Sequence, residues 1–505
     1  MSRNHLTLAG VLASLVCAAC SGPAQTPQDA GSGGDPAAQR IAFEPCTLSG
    51  ASASSNVEAQ CGTLSVPENP AQPQGRRIKL RIARLDADNP GAATDPVFFI
   101  AGGPGQAASD VALPVSTALR QARKKRDIYL IDQRGTGGSN PLTCLGADGK
   151  DLPLDDNAAP NEATIRDYAS ACAASLEGRA DPRFYTTSQA IDDLDAVRKA
   201  IGVPQVNLVG ASYGTRVAQR YAARYPQHVR TIVIDGVAPN DLVVGGDFAN
   251  TFEDAIVLQA AECIKDAACA KRFPINTRTQ LRTVMDALSA APVTVDYRDP
   301  GTAQPRQDVL TADSVIGLAF AFSYMPELSS LLPVVLDEAA QGRYAPLAAL
   351  SRTATRTLGL ELNRGMQWSV ICSEDADRYQ PSAGGDRLVG PHVADMFFAA
   401  CPVWPHEKAA ADSTAPLTSD APVLLLSGEL DPVTPPRYAE QVLKGLANGR
   451  HIVARGQGHG TLNAGCMPRL LGQFIDSADA KALDASCLDT LSHVPAFTSF
   501  NGWEP

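Results

Sequence analysis

The stretch Val206-Asn207-Leu208-Val209-Gly210-Ala211-Ser212-Tyr213-Gly214 constrains this chain more than any other. A four-residue β-type run meets a glycine, a serine follows two positions later, and a second glycine closes the run. An amphipathic helical segment then spans about Thr215 to Tyr225. A strand that bends sharply into a helix crowds the backbone at the bend, and glycines two residues on either side relieve that crowding. Ser212 is therefore expected to project from the end of a strand. The flanking text agrees with this setting. Ile78, Leu80 and Ile82 alternate through Arg77 to Leu85, as in a half-buried strand. Pro96–Ile100 and Ile128–Ile131 are continuous apolar runs, expected of strands covered on both faces. Ile191, Leu194, Val197 and Ile201 recur at helical spacing, and Gly202 stops that helix. Thr231–Ile234, Val423–Leu426 and His451–Val453 read as further strands. Strands alternating with helices predict a mostly parallel α/β sheet.

A chain of 505 residues exceeds what one compact core needs, so an insertion or second lobe is expected. The β-rich text falls in two parts, 41–240 and 416–505, which read as the N-terminal and C-terminal parts of one core. Residues 241–415 are mainly helical in pattern, with a Pro-rich stretch near 291–306, and read as a cap inserted into the sheet. Hydrophobic residues at 44% and charged residues at 19% argue against wholesale disorder. The formal net charge of −11 leaves no basic footprint for nucleic acid, and Arg76-Arg77 and Lys124-Lys125-Arg126 read as solvated strand ends.

The N-terminus reads as an export signal. Arg3 precedes an apolar run from Leu6 to Ala19, too short to span a bilayer comfortably. Cys17-Ala18-Ala19-Cys20 resembles a bacterial lipobox, which implies a lipid anchor at Cys20 and a signal segment 1–20. Cys17 departs from that pattern, and ordinary cleavage releasing an unanchored protein is the alternative. Residues 21–40 are rich in Ala, Gly, Pro, Gln and Asp and read as a flexible tether. Of the twelve cysteines, ten remain once Cys17 and Cys20 are set aside. Pairing sequence neighbours would join Cys46 to Cys61, Cys144 to Cys172, Cys263 to Cys269, Cys372 to Cys401 and Cys466 to Cys487, in keeping with an oxidising periplasm or cell envelope. No CxxC or clustered His–Cys spacing points to a metal.

A serine hydroxyl is a weak nucleophile and needs a base oriented by an acid. Of seven histidines, His5 lies in the signal, His228 follows a helix, His451 opens a strand, and His392, His406 and His493 sit in irregular segments. His459 alone sits in a Gly-rich loop after a late strand, Gly456-Gln457-Gly458-His459-Gly460. Asp431 follows the strand 423–426, in the run Asp431-Pro432-Val433-Thr434-Pro435, and completes the order Ser, acid, His. A plain turn aspartate before proline is its alternative reading, and Asp235 is the other candidate acid. Ala101-Gly102-Gly103-Pro104-Gly105 follows the early strand, where backbone N–H groups would face charge developing on a substrate oxygen. Gly103 and Tyr213 are the expected donors, with Gly102 as an alternative.

Gly102-Gly103-Pro104-Gly105, Asp132-Gln133-Arg134-Gly135-Thr136-Gly137-Gly138-Ser139, Gly210–Gly214, Gly428 with Asp431–Pro435, and Gly458-His459-Gly460 together resemble the proline iminopeptidase and tripeptidyl aminopeptidase branch of the α/β-hydrolases. The resemblance covers about residues 41 to 487. Ala101 stands where proline iminopeptidases carry histidine, a departure that favours the exported tripeptidyl type. It implies an α/β-hydrolase fold with an inserted helical cap, and a serine aminopeptidase acting on peptides or small acyl substrates without a cofactor. It also implies a carboxylate that holds the substrate's free amino terminus, with Glu374 in Trp368-Ser369-Val370-Ile371-Cys372-Ser373-Glu374-Asp375 as the candidate, and a structural ion pair for Arg134. An exposed cap carboxylate beside a disulfide is the alternative reading of Glu374. A carboxylesterase on the same scaffold, or a surface binding protein built on it, are the competing functions.

Overall fold

The computed structural model describes residues 40–49, 56–89, 93–152, 161–357, 362–381, 385–390 and 392–501. The expected signal segment with Cys17 and Cys20, and all of the expected tether except residue 40, lie outside the described residues. Eleven strands occur in chain order among them: β1 (Glu44–Ser49), β2 (Asn56–Pro67), β3 (Arg77–Leu85), β4 (Val97–Ile100), β5 (Ile128–Ile131), β6 (Val206–Ala211), β7 (Val229–Asp235), β8 (Val293–Arg298), β9 (Pro305–Leu310), β10 (Val423–Gly428) and β11 (Gly449–Ala454). Nine of them form one sheet in the order β1-β2-β3-β5-β4-β6-β7-β10-β11. The first three pair antiparallel and β5 continues that sense against β3, while β5, β4, β6, β7, β10 and β11 run parallel.

The parallel half follows from the apolar runs. In β4 Phe98 and Ile100 point into one core with Leu208, Ile232 and Leu425, whereas Val97 and Phe99 point into the opposite core with Val209, Val233 and Leu424. Both faces are covered, so alternation has no polar side to show. The two N-terminal strands were not anticipated, because Glu44–Ser49 and Asn56–Pro67 mix small and polar residues with few apolar ones. They lie at one end of the sheet, β1 as its edge strand and β2 beside it, where half-exposed strands need less apolar content. The Cys46–Cys61 disulfide joins them, and the other four bridges also join the cysteines as sequence neighbours.

The block between β7 and β10 does not pack as one lobe. Helices Phe248–Lys265, Thr277–Ala290, Ala312–Ser323 and Leu332–Ala340 surround their own core of Phe252, Leu281, Val284, Leu318, Phe322 and Val335. The helix Arg364–Glu374 instead places Met366, Trp368, Val370 and Ile371 in the core of the main sheet, together with Cys401 and Trp404. Trp368 lies 5.2 Å from Trp404, and the Cys372–Cys401 bridge holds the two segments there. The Pro-rich stretch is a hairpin, β8 with β9, whose Asp299 carboxylate accepts from the Gly301 and Thr302 amides in the turn. Among the described residues no helix is long and apolar enough to cross a membrane.

Candidate active site

The carboxyl ends of β4, β6, β7, β10 and β11 meet at one edge of the sheet, which is where open parallel sheets present their ligand sites. Ser212 lies between β6 and the helix Tyr213–Arg224, with φ 55 and ψ −125. That left-handed φ costs a serine on the order of 1–3 kcal/mol, and the surroundings hold it in place. Its N–H donates to the Asp235 carbonyl at 2.8 Å, and its own carbonyl accepts from Thr215 N at 2.9 Å and Thr215 Oγ1 at 2.6 Å. A methyl group added at Gly210 would lie 2.5 Å from the Gly214 carbonyl oxygen, and one added at Gly214 would strike the Ile100 and Ala101 carbonyls. Both glycines of the motif are thus required by backbone, not by substrate.

Gly102 packs directly on the serine: a methyl there would lie 2.9 Å from Ser212 Cβ. Gly103 adopts φ 106 and precedes a cis Gly103–Pro104 bond. Tyr213 opens the helix, so its N–H is one of the amides that have no partner within the helix. The Tyr213 side chain points away from any substrate role. It is buried, and its hydroxyl meets Thr187 Oγ1 at 2.6 Å and Gln133 Nε2 at 3.3 Å.

Asp431 turns back on its own loop. One carboxylate oxygen accepts from Val433 N at 2.9 Å and Thr434 N at 2.8 Å, and the other from Thr434 Oγ1 at 2.8 Å. That second oxygen also meets His459 Nδ1 at 2.8 Å. The turn-aspartate reading therefore holds, and the same carboxylate also meets the imidazole. Burial alone would push the Asp431 pKa up, but the His459 charge and hydrogen bond and the two amides hold it below the ordinary carboxylate range. Burial likewise opposes protonation of His459. The Asp431 charge and hydrogen bond outweigh it, with Asp235 adding to them, and the imidazole pKa is raised.

Asp235 does not reach the imidazole as a hydrogen-bond partner. Its oxygens accept from Thr461 N at 2.7 Å, Leu462 N at 3.1 Å and Thr461 Oγ1 at 2.8 Å, so it anchors the loop that carries His459. The same residue receives the Ser212 amide through its carbonyl. A methyl on the next residue, Gly236, would lie 2.9 Å from His459 Cε1. Serine and imidazole thus flank one short segment of backbone. Among the described residues no hydrogen bond links the Ser212 hydroxyl to the imidazole, a bond that in resting hydrolases often tightens only with substrate bound.

Two participants were missed in the sequence, Thr434 and Tyr324, and a third, Asp235, was given another role. Thr434 Oγ1 bridges Asp431 and, at 3.1 Å, His459 Nδ1. Its position three residues after Asp431 is the spacing of a side-chain-capped turn, a signal that was present. Asp235 was seen, but as a rival acid. Tyr324 gave no signal: its carbonyl accepts the His459 N–H at 2.9 Å and its ring stands edge-on to the imidazole, with centroids 5.2 Å apart.

Glu374 is engaged by the protein's own groups. It is buried, and one oxygen accepts from Thr187 N at 2.8 Å while the other accepts from Thr187 Oγ1 at 2.9 Å and Arg220 Nη1 at 3.2 Å. Thr187 starts the helix Thr187–Ile201, so the carboxylate also sits at the positive end of a helix dipole. Arg216 lies 3.8 Å away and pairs with Asp375 at 3.1 Å. An incoming ammonium would have to displace partners already charged and desolvated. The residue ties the helices Thr187–Ile201 and Tyr213–Arg224 to the segment 368–375. Arg134 is a structural ion pair as expected: it meets both Asp193 oxygens at 2.6 Å and donates to the Glu68 and Phe184 carbonyls.

Comparison with known proteins adds the family. Residues 95–256 match the α/β-hydrolase fold model and residues 386–487 match the model described as TAP-like protein, together more than half of the chain. The chain has the α/β-hydrolase fold. This hydrolase is 26% identical over 430 residues to serine protease Hip1 of Mycobacterium tuberculosis, covering 79% of this chain and 81% of that protein. It is 31% identical over 194 residues to tripeptidyl aminopeptidase of Streptomyces lividans, covering 35% of each. Among solved structures, proline iminopeptidase of Mycobacterium smegmatis aligns at 17% identity with a TM-score of 0.42, over 83% of this chain and 100% of that one.

Proposed function

We propose that this hydrolase is an exported serine aminopeptidase that releases a residue or short peptide from a free amino terminus, with Ser212, His459 and Asp431 as its triad. The observation that carries the reading is the Asp431–His459 contact of 2.8 Å, formed beside the backbone that also receives the Ser212 amide. Ser212 attacks the substrate carbonyl while the imidazole takes its proton. The oxyanion is met by the N–H groups of Gly103 and Tyr213. His459 then passes the proton to the leaving amine, and water activated by the same imidazole hydrolyses the acyl-enzyme. Asp431 keeps the proton on Nδ1, so that the other ring nitrogen is free to accept. The relatives named protease and aminopeptidase support a peptide bond as target, and the five disulfides support an oxidising compartment. Lipid attachment at Cys20 is part of the proposal, as is a cap inserted between core parts 41–240 and 416–505, with the helix Arg364–Glu374, Cys401 and Trp404 of the block 241–415 belonging to the core rather than to the cap.

One observation keeps a second reading open: with Glu374 engaged, no carboxylate is yet assigned to the substrate amine, and a carboxylesterase needs none. Rates on free and N-acetylated tripeptidyl amides separate the two. The aminopeptidase reading expects acetylation to abolish turnover, and equal rates would overturn it. Covalent labelling by a fluorophosphonate, lost in Ser212→Ala, tests the triad itself.

A further inference from the structure

Four aromatic rings continue outward from His459. Tyr324 stands against the imidazole; Phe320, one helical turn earlier, lies 5.5 Å from Tyr324. Phe248 lies 5.6 Å from Phe320, and Phe397 lies 6.0 Å from Phe248. They come from three separate helices: Ala312–Ser323 with the tyrosine just after it, Phe248–Lys265, and His392–Phe398. All four are half-buried, neither sunk into the core nor standing free. The backbone is shaped to seat the last ring. Gly245 adopts φ 88, and a methyl there would lie 2.5 Å from Phe397 Cδ1.

A single half-exposed phenylalanine needs no explanation, but a contiguous run of four beside a reactive histidine does. Rings kept partly open to solvent at that place forgo burial that a stable core would otherwise capture. The direction of the run says what it meets. Gly102 packs on Ser212 on the proposed oxyanion side, whereas the rings begin at the imidazole. The leaving amine takes its proton from that imidazole, so the part of the substrate departing with the amine lies on its side.

We propose that Tyr324, Phe320, Phe248 and Phe397 form an apolar subsite for the side chain of the residue immediately after the cleaved bond. Peptides with an aromatic or large aliphatic residue at that position are the preferred substrates. The inference rests on the serine-peptidase reading and adds a leaving-side preference to it.

The test is a series of peptides with free amino termini that differ only at the residue after the cleaved bond, as Gly, Ala, Leu or Phe. Mass spectrometry identifies the bond cut, and kcat/KM is measured for each peptide. Wild-type protein is expected to favour Phe over Gly by about 30-fold. In Phe320→Ala that ratio is expected to fall to about threefold or less. Phe397→Leu, a milder change on a separate helix, reads the same ratio if Phe320→Ala does not fold. A wild-type protein that labels with fluorophosphonate and cleaves the whole series at equal rates overturns the subsite while leaving the peptidase reading intact. So does a folded variant with an unchanged ratio. Absence of labelling at Ser212 would instead remove the reading on which the subsite depends.

Discussion

Replacing Asp431 by asparagine tests the core of the mechanism with almost no change of shape. The side-chain oxygen that faces the Val433 and Thr434 amides, at 2.9 and 2.8 Å, is retained as a carbonyl. The other oxygen, which meets His459 Nδ1 at 2.8 Å, becomes an NH2 group. That group donates to Nδ1 where the carboxylate accepted, so the ring proton moves to the nitrogen that should take the Ser212 proton. The base is then in the wrong tautomer, which in a triad costs about 10⁴-fold in turnover, or about 5 kcal/mol of barrier. The pH profile gives a second, signed prediction. His459 must be neutral to act as base, and the Asp431 charge raises its pKa above the ordinary value. Wild-type activity is therefore lost as pH falls through a point above about 6.5, and in Asp431→Asn that acidic limb moves to lower pH. Initial rates on a chromogenic tripeptidyl amide across the pH range measure both effects, with thermal unfolding to confirm that the variant is folded. A folded Asn variant within tenfold of wild type, with an unmoved acidic limb, would refute the argument.

Other outcomes follow from packing. Gly214→Ala drives a methyl group into the Ile100 and Ala101 carbonyls and shifts the serine relative to the Gly102–Gly103 loop, so fluorophosphonate labelling should slow by about 10²-fold. Glu374→Gln leaves Arg220 without its counter-charge and Arg216 with Asp375 alone, and should destabilise the fold by about 3 kcal/mol in denaturant titration. The ratio of rates on free and acetylated substrates should not move, and a changed ratio would restore Glu374 as the amine anchor. Removing the Cys372–Cys401 bridge as a double alanine, at a sequence separation of 29, should cost about 3–4 kcal/mol and loosen the segment 364–404 from the sheet core, visible as faster amide exchange there.

Much of this molecule was legible because its signals are local. A strand covered on both faces needs a run such as Val423–Leu426, and a strand-to-helix bend needs Gly210 and Gly214, since the nearest atoms to each are backbone of adjoining elements. Asp431 and His459, which the structure brings to 2.8 Å of each other, were singled out by the loops that carry them, each following a recognisable strand. What escaped depends on partners far away in the chain. Glu374 reads as a free carboxylate until Thr187 and Arg220, more than 150 positions earlier, fold against it. The segment 241–415 reads as one helical block until Trp368 and Trp404 join the sheet core and leave the rest of the block behind. Periodicity records which face of an element is apolar, not which of two cores receives it. The composition of its own turn thus settled how Ser212 is presented, while the three-dimensional packing alone decided that Asp235 holds the histidine loop, Thr434 bridges acid and base, and Tyr324 stands over the imidazole. The physical reason is that hydrogen bonds and ring contacts between distant segments obey no spacing rule along the chain.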